Sequence, residues 1–279
     1  MIGGGEVFWQ SPLCGMLAFI LGACLGSFFD LCIMRIPKNQ SVIWPRSCCE
    51  CGQPIPFYLN LPILGWLILR GRARCCGRRL ERQYLFVELL TALLFTRLWV
   101  LYRPMEFCIY GLFLGLLIIA SGIDFTTMMI PDRCSVGGAI LGIFGSAILA
   151  HYAYGNYIFL GIFESLKGML LGSGVLLWIA ILSELILKKE TVGFGDIKLM
   201  GCIGAFLETN GAIFAIFGGA TLGLVTIFPI WWWIHRTQKI RTGSILPFGP
   251  FLSLGAMVYL LGLRPFVDEY FAQLELLLR

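Results

Sequence analysis

Two aspartates stand where apolar runs of this chain meet water. Asp196 lies in Thr191-Val192-Gly193-Phe194-Gly195-Asp196-Ile197-Lys198, where a glycine pair delivers a carboxylate to the mouth of an apolar helix. Asp124 lies in Ser121-Gly122-Ile123-Asp124-Phe125, where another apolar helix runs out. A carboxylate at the edge of hydrocarbon is costly to keep ionised, so each is a functional candidate by default. Held close enough that only one ionises, two aspartates can hydrolyse a peptide bond. The charged one takes a proton from water while the neutral one polarises the carbonyl, and neither serine nor metal is needed. A helix N-terminus favours the anion and a C-terminus the acid, which makes Asp196 the more readily ionised partner and Asp124 the proton holder. Gly193 and Gly195 leave room for an extended substrate backbone to approach. A lone Gly-x-Gly-Asp is equally an ordinary helix start; the second aspartate on the same face shifts the balance.

The elements that must position this pair are membrane helices. Of 279 residues, 58% are hydrophobic and 13% charged, too little polar surface for a soluble globule of this size. Runs of roughly 20 apolar residues predict an all-α polytopic membrane helix bundle of about eight spans, the sixth short. The spans start at Leu13, Tyr84, Met105, Cys134, Gly168 and Asp196; the sixth is interrupted by Glu208-Thr209-Asn210-Gly211, a seventh continues to Trp231-Trp232-Trp233, and the eighth covers Phe248 to Leu263. His151 to Lys167, rich in tyrosine, is expected at the headgroup level. Met1 to Gln10 carries Glu6 and no basic residue, so the first run is expected to be a retained span rather than a cleaved signal. The expected organisation is residues 1–34 as the first span, 35–83 as a basic, cysteine-bearing loop, 84–265 as the helix bundle carrying the aspartates, and 266–279 as a C-terminal tail.

Nine cations, from Arg35 to Arg82, crowd between the first two spans, and basic residues recur in alternate later loops at Arg133, Lys188, Lys189, Arg236, Lys239 and Arg241. That asymmetry marks the cytoplasmic side of a membrane, in contact with lipid, rather than a nucleic-acid surface. Counting alternation from the basic loop puts Asp124 and Asp196 on the same, cytoplasmic face. Of eleven cysteines, five (Cys48, Cys49, Cys51, Cys75 and Cys76) cluster in the basic loop, which in a reducing compartment reads as metal-binding before disulfides. Asp30 is expected to be structural, relieved by snorkelling or by Arg35; Asp132 to be supporting at most; Glu88 and Glu184 to pair with basic neighbours. Two rivals are a proton- or ion-coupled transporter, whose acids tend to lie near the midplane, and a Ser173/His151 serine protease.

Several stretches together resemble the bacterial type IV prepilin peptidases: Gly26-Ser27-Phe28-Phe29 through Arg35-Ile36-Pro37, the cysteine knuckles, Leu61-Pro62-Ile63-Leu64-Gly65-Trp66, Tyr84 through Glu88-Leu89-Leu90, Ile123-Asp124 through Ile130-Pro131-Asp132, and Gly193-Phe194-Gly195-Asp196-Ile197-Lys198. The resemblance covers nearly the whole chain. It implies a GxGD-type aspartic endopeptidase of the bacterial inner membrane, with Asp124 and Asp196 catalytic, that removes the basic leader of prepilins and pseudopilins after a glycine. It further implies N-methylation of the new N-terminus with S-adenosylmethionine. The family's first Cys-x-x-Cys is intact as Cys48 and Cys51; in the second, alanine stands at 73. A four-ligand structural zinc is therefore expected on Cys48, Cys51 and Cys76, with Cys75 or Cys49 as the fourth. Position 30 is Asp where the family usually has Asn. No glycine-rich nucleotide fingerprint places the S-adenosylmethionine pocket.

Overall fold

Each apolar run is a helix in the computed structural model, which describes residues 11–44, 49, 51–53, 56, 59, 61–155, 157–188, 192–236 and 247–277, with backbone alone at 154 and 227–236. The expectations that fall on Met1 to Gln10, Cys48, Lys189, Lys239 and Arg241 lie outside the described residues. In chain order the helices are α1 (Pro12–Arg35), a short α2 (Leu64–Ile68), α3 (Arg82–Leu101), α4 (Pro104–Thr127), α5 (Asp132–Tyr154), α6 (Ile158–Leu187), α7 (Phe194–Arg236), α8 (Gly249–Val258), a π-helical turn (Tyr259–Leu263) and α9 (Arg264–Leu277). Among the described residues seven helical stretches are long and apolar enough to cross a membrane, so this is a multi-pass membrane protein. The chain forms two compact units, Met1–Ile119 and Ala120–Arg279.

In the first unit, α1 and α3 run antiparallel, because Gly22 packs on Ala92 and Phe95 whereas Gly26, one turn later, packs on Glu88 and Thr91. A Cβ on either glycine would lie 2.8 Å from a backbone Cα of α3, so the helices approach as closely as small residues allow. Their outer faces present Leu13, Leu17, Ile20 and Leu93, an apolar surface suited to lipid. The tight connection to α4 behaves as expected, with Phe95 and Phe107 in edge contact at 5.9 Å.

Two acids of this unit differ from expectation. Asp30 is buried, and its Oδ2 has no hydrogen-bond partner among the described residues, while the Arg35 guanidinium reaches the Ser41 carbonyl at 3.0 Å instead. Glu88 is buried beside it and pairs with no cation that the structure shows; its Oε2 accepts the Ile63 N–H at 2.6 Å. The bond pins the segment after Pro62 to α3, and the reason is local: Ile63 has φ 61°, a left-handed conformation that a β-branched residue adopts only when held.

The second unit is built around α7. At 43 residues a straight α7 would measure about 65 Å, twice the hydrocarbon thickness. It is not straight. Glu208 leaves the helix at φ 59°, ψ −163°, and a Cβ on Gly172 of α6 would touch both the Met200 carbonyl and Ala212, twelve positions apart. Those two residues can be neighbours only if the chain reverses at Glu208, giving a short ascending limb from Phe194 and a longer returning one. The interruption expected at Glu208 is therefore a hairpin turn, and the short sixth span is its first limb. A helix end in the membrane leaves carbonyls without partners. The Ala205 carbonyl, orphaned by the turn, accepts the hydroxyls of Ser146 at 3.1 Å and Ser165 at 2.7 Å.

Two further stretches are helical. His151 to Lys167 is shared by α5, which continues to Tyr154, and α6, which begins at Ile158. Gly161, Ser165, Gly168 and Gly172 form one buried small-residue stripe that extends the fifth span by three turns, and the Gly168 and Gly204 backbones meet along it. Residues beyond Leu263 are helical to Leu277, with Asp268 accepting Tyr259 Oη at 2.6 Å and Asn210 Nδ2 at 3.2 Å, which clasps α9 to the turn at Glu208.

Candidate active site

Three helix ends of the second unit converge on the aspartates. Asp124 occupies the last turn of α4, which stops because Met128 takes φ 55° and Ile130 precedes a proline. Thr126 and Thr127 turn their hydroxyls back onto the Ile123 carbonyl, closing that end. Asp196 is in the first turn of α7, where its own N–H donates to the Gly193 carbonyl at 3.0 Å and the Gly193 amide faces its carboxylate. The third end is the start of α8, whose Gly249 amide faces the Asp124 carboxylate.

Both carboxylates are buried, at 5% and 8% exposure, so neither is an ordinary solvated surface acid. They lie near enough to feel each other's charge, and both line one cavity of about 290 Å³ with Met128, Met129, Ile130, Asp132, Gly193, Phe194, Gly195 and Lys198. Asp124 Oδ2 has no hydrogen-bond partner among the described residues. A buried acceptor left open is costly unless another molecule uses it.

Glycines make the approach possible. A Cβ on Gly193 would stand 3.2 Å from Asp196 Oδ2, one on Gly195 3.2 Å from Ile130 Cβ, and one on Gly249 2.7 Å from Asp124 Oδ2. Ile130 therefore wedges between the segments that carry Gly195 and Gly249 and holds both helix starts to the end of α4. Sequence reasoning missed Gly249 and Ile130. The available signal was Pro247-Phe248-Gly249-Pro250, a glycine opening a helix whose first turn holds a proline. A helix N-terminus faces Asp124 as well as Asp196, so the macrodipole no longer sets the two apart as the sequence suggested.

Asp132, the first residue of α5, sits at the rim of the same cavity, ion-paired to Lys198 at 2.6 Å. Ser173 is placed otherwise: its hydroxyl donates to the Met169 carbonyl of its own helix at 2.7 Å and its Cβ lies against Gly201, a packing role.

In the first unit, two turns bring cysteines together. Cys49 N–H bonds the Gln53 carbonyl around Gly52 at φ 84°, and Ala73 N–H bonds the Arg78 carbonyl around Gly77 at φ 71°. The sulfurs of Cys49, Cys51, Cys75 and Cys76 then all lie within 4.8 Å of one another, with Cys51–Cys75 at 3.3 Å and Cys49–Cys76 at 3.6 Å. Four thiolates on a tetrahedral zinc stand about 3.8 Å apart, so the cluster fits that ion. Cys75 and Cys49, the two candidates for the ligand that Ala73 leaves short, both join Cys51 and Cys76, and Cys48 lies outside the described residues. The Cys51 amide and the neighbouring thiols draw the Cys49 thiol down to about 7, and hydrogen bonding with the Cys49 and Cys51 thiols pushes Cys75 up to about 12.

Comparison with known proteins agrees with this geometry. Residues 20–102 match the bacterial peptidase A24 N-terminal domain and residues 111–228 the type IV leader peptidase family. The chain is 34% identical over 203 residues to a prepilin leader peptidase/N-methyltransferase of Klebsiella pneumoniae, covering 70% of this chain and 86% of that one. It is 31% identical over 283 residues to that of Dichelobacter nodosus, covering 91% and 93%, and 32% identical over 222 residues to that of Myxococcus xanthus, covering 77% and 64%. No solved structure gives a significant match. These likenesses support neither the transporter nor the serine protease. The chain belongs to the type IV leader peptidase family of prepilin leader peptidase/N-methyltransferases.

Proposed function

We propose that Asp124 and Asp196 are the catalytic pair of an aspartic endopeptidase that cuts the basic leader from prepilins and pseudopilins after a glycine. The observation that carries this reading is the shared cavity: two buried, mutually sensed carboxylates, one with an open oxygen, flanked by glycines that admit an extended peptide. The pair holds one proton. The ionised carboxylate removes a proton from a water molecule as that water attacks the scissile carbonyl carbon, and the protonated one donates to the carbonyl oxygen. Collapse of the tetrahedral species breaks the C–N bond, and the proton taken from water passes to the leaving amine. Because the dyad titrates as a unit, which carboxylate starts ionised is a property of the pair.

The cationic loops favour a cytoplasmic site in a bacterial inner membrane, since basic residues are retained on that side. Cys49, Cys51, Cys75 and Cys76 are the residues that would hold a zinc ion, which in a closed four-sulfur site supplies folding energy to a loop with little apolar core of its own. S-adenosylmethionine, when bound, supplies an electrophilic methyl group for the amine that cleavage exposes. The test is to mix the purified protein with a prepilin, with and without S-adenosylmethionine, and weigh the products. Loss of the leader in both, and gain of one methylene only with S-adenosylmethionine, is the expected result; an uncut prepilin refutes it.

A further inference from the structure

The rim of the aspartate cavity already holds an ammonium group, one of the protein's own. Lys198, two positions after Asp196 on α7, places Nζ 2.6 Å from Asp132 Oδ1 and 5.0 Å from the centre of the Phe194 ring. A carboxylate beside an aromatic face is the chemistry that receives a lysine or arginine side chain. All three residues line the cavity that contains Asp124 and Asp196. Apart from the buried pair, Asp132 is the acid among those lining residues and Lys198 the base.

The ion pair makes a poor brace. Asp132 is 68% exposed and Lys198 30%, and pairs this open to water add little to stability. They are, however, free to exchange partners. The neighbouring walls, Met128, Met129 and Phe194, are apolar and exposed, so a peptide crossing the aspartates meets hydrocarbon around one charged spot.

We propose that Asp132 and the Phe194 ring form a subsite for a lysine or arginine side chain of the peptide being cut, which Lys198 occupies in the free protein and yields on binding. This rests on the peptidase reading and adds to it the residues that read the leader's charge. On exchange Asp132 and the Phe194 ring keep a cationic partner, and Lys198, already 30% exposed, turns to water. A peptide with no cation near its scissile bond leaves Lys198 in place at the rim, and its binding suffers.

The experiment uses the full chain in lipid nanodiscs and two prepilin-derived peptides, one with the leader lysine nearest the cut and one with that lysine replaced by glutamine. For the wild type, KM is about fivefold lower for the lysine peptide, the size of one partly exposed ion pair. Asp132→Asn brings the two KM values within about twofold, and Asp132→Glu restores the difference. Lys198→Met, which empties the subsite, lowers KM for the lysine peptide. Equal discrimination by wild type and Asp132→Asn overturns the proposal, as does equal loss of both peptides in Asp132→Asn with no recovery in Asp132→Glu. If the wild type cuts neither peptide, the peptidase reading itself falls and takes the subsite with it.

Discussion

Gly249 and Asp124 meet with no room between them for a side chain: a Cβ at Gly249 would stand 2.7 Å from Asp124 Oδ2 and 3.1 Å from Ile130 Cδ1. The first of these atoms is the far end of a side chain that can rotate away. Gly249→Ala is therefore expected to move the carboxylate rather than unfold the helices. Displacement by about 1 Å costs about a hundredfold in rate, so kcat for prepilin cleavage falls by roughly that factor while the thermal midpoint stays near wild type. A variant of normal kcat would show that Asp124 does not act from this position.

Gly168 makes the opposite case. Its neighbours are backbone, a Cβ there falling on the Gly204 carbonyl oxygen, and backbone in the middle of a bundle cannot step aside. Gly168→Ala should lose stability first, by about 1–3 kcal/mol or more, as in other overpacked cores. The check is thermal unfolding in detergent, with Gly174→Ala, where a Cβ meets nothing within 4 Å, as the control that leaves the midpoint unchanged.

The cysteine cluster makes a prediction about metal. Cys49→Ser should strip zinc from the purified protein and Cys108→Ser should not, because the four gathered sulfurs include Cys49 and Cys108 lies in α4, outside them. Metal analysis of the two variants decides it. Chelation of wild-type protein should in turn expose the loop to protease, since the ion and the fold of such a segment stand together.

Glu88 anchors a strained residue, and the anchor can be weighed. Glu88→Ala removes the acceptor of the Ile63 N–H and should destabilise the segment after Pro62 by about 1–2 kcal/mol, seen as faster amide exchange at Ile63. Ile63→Gly, which fits φ 61° without strain, should recover part of that loss. Unchanged exchange in Glu88→Ala would mean the bond contributes nothing.

The helices and the two aspartates were legible in the sequence for physical reasons: hydrocarbon demands long apolar runs, and an acid at the edge of such a run stands out against them. What packs between helices was not. Gly249 is one of 34 glycines and acquires meaning only once α8 is laid against the end of α4. The polar break Glu208-Thr209-Asn210-Gly211 marked an interruption, but that the chain doubles back there follows from Met200 and Ala212 sharing Gly172. Asp30 and Glu88 misled because nearby arginines in sequence need not be neighbours in space. In the cysteine loop, spacing left the fourth ligand open between Cys75 and Cys49, and the turns at Gly52 and Gly77 gather both.

Asp124 and Asp196 must act together on one peptide bond for the leader to be removed. Mass spectrometry of a prepilin incubated with wild type, Asp124→Asn and Asp196→Asn, each reconstituted in lipid, tests this directly. The expected result is complete removal of the leader by wild type and none by either variant, with all three unchanged in helix content. Wild-type cleavage by either variant would contradict it.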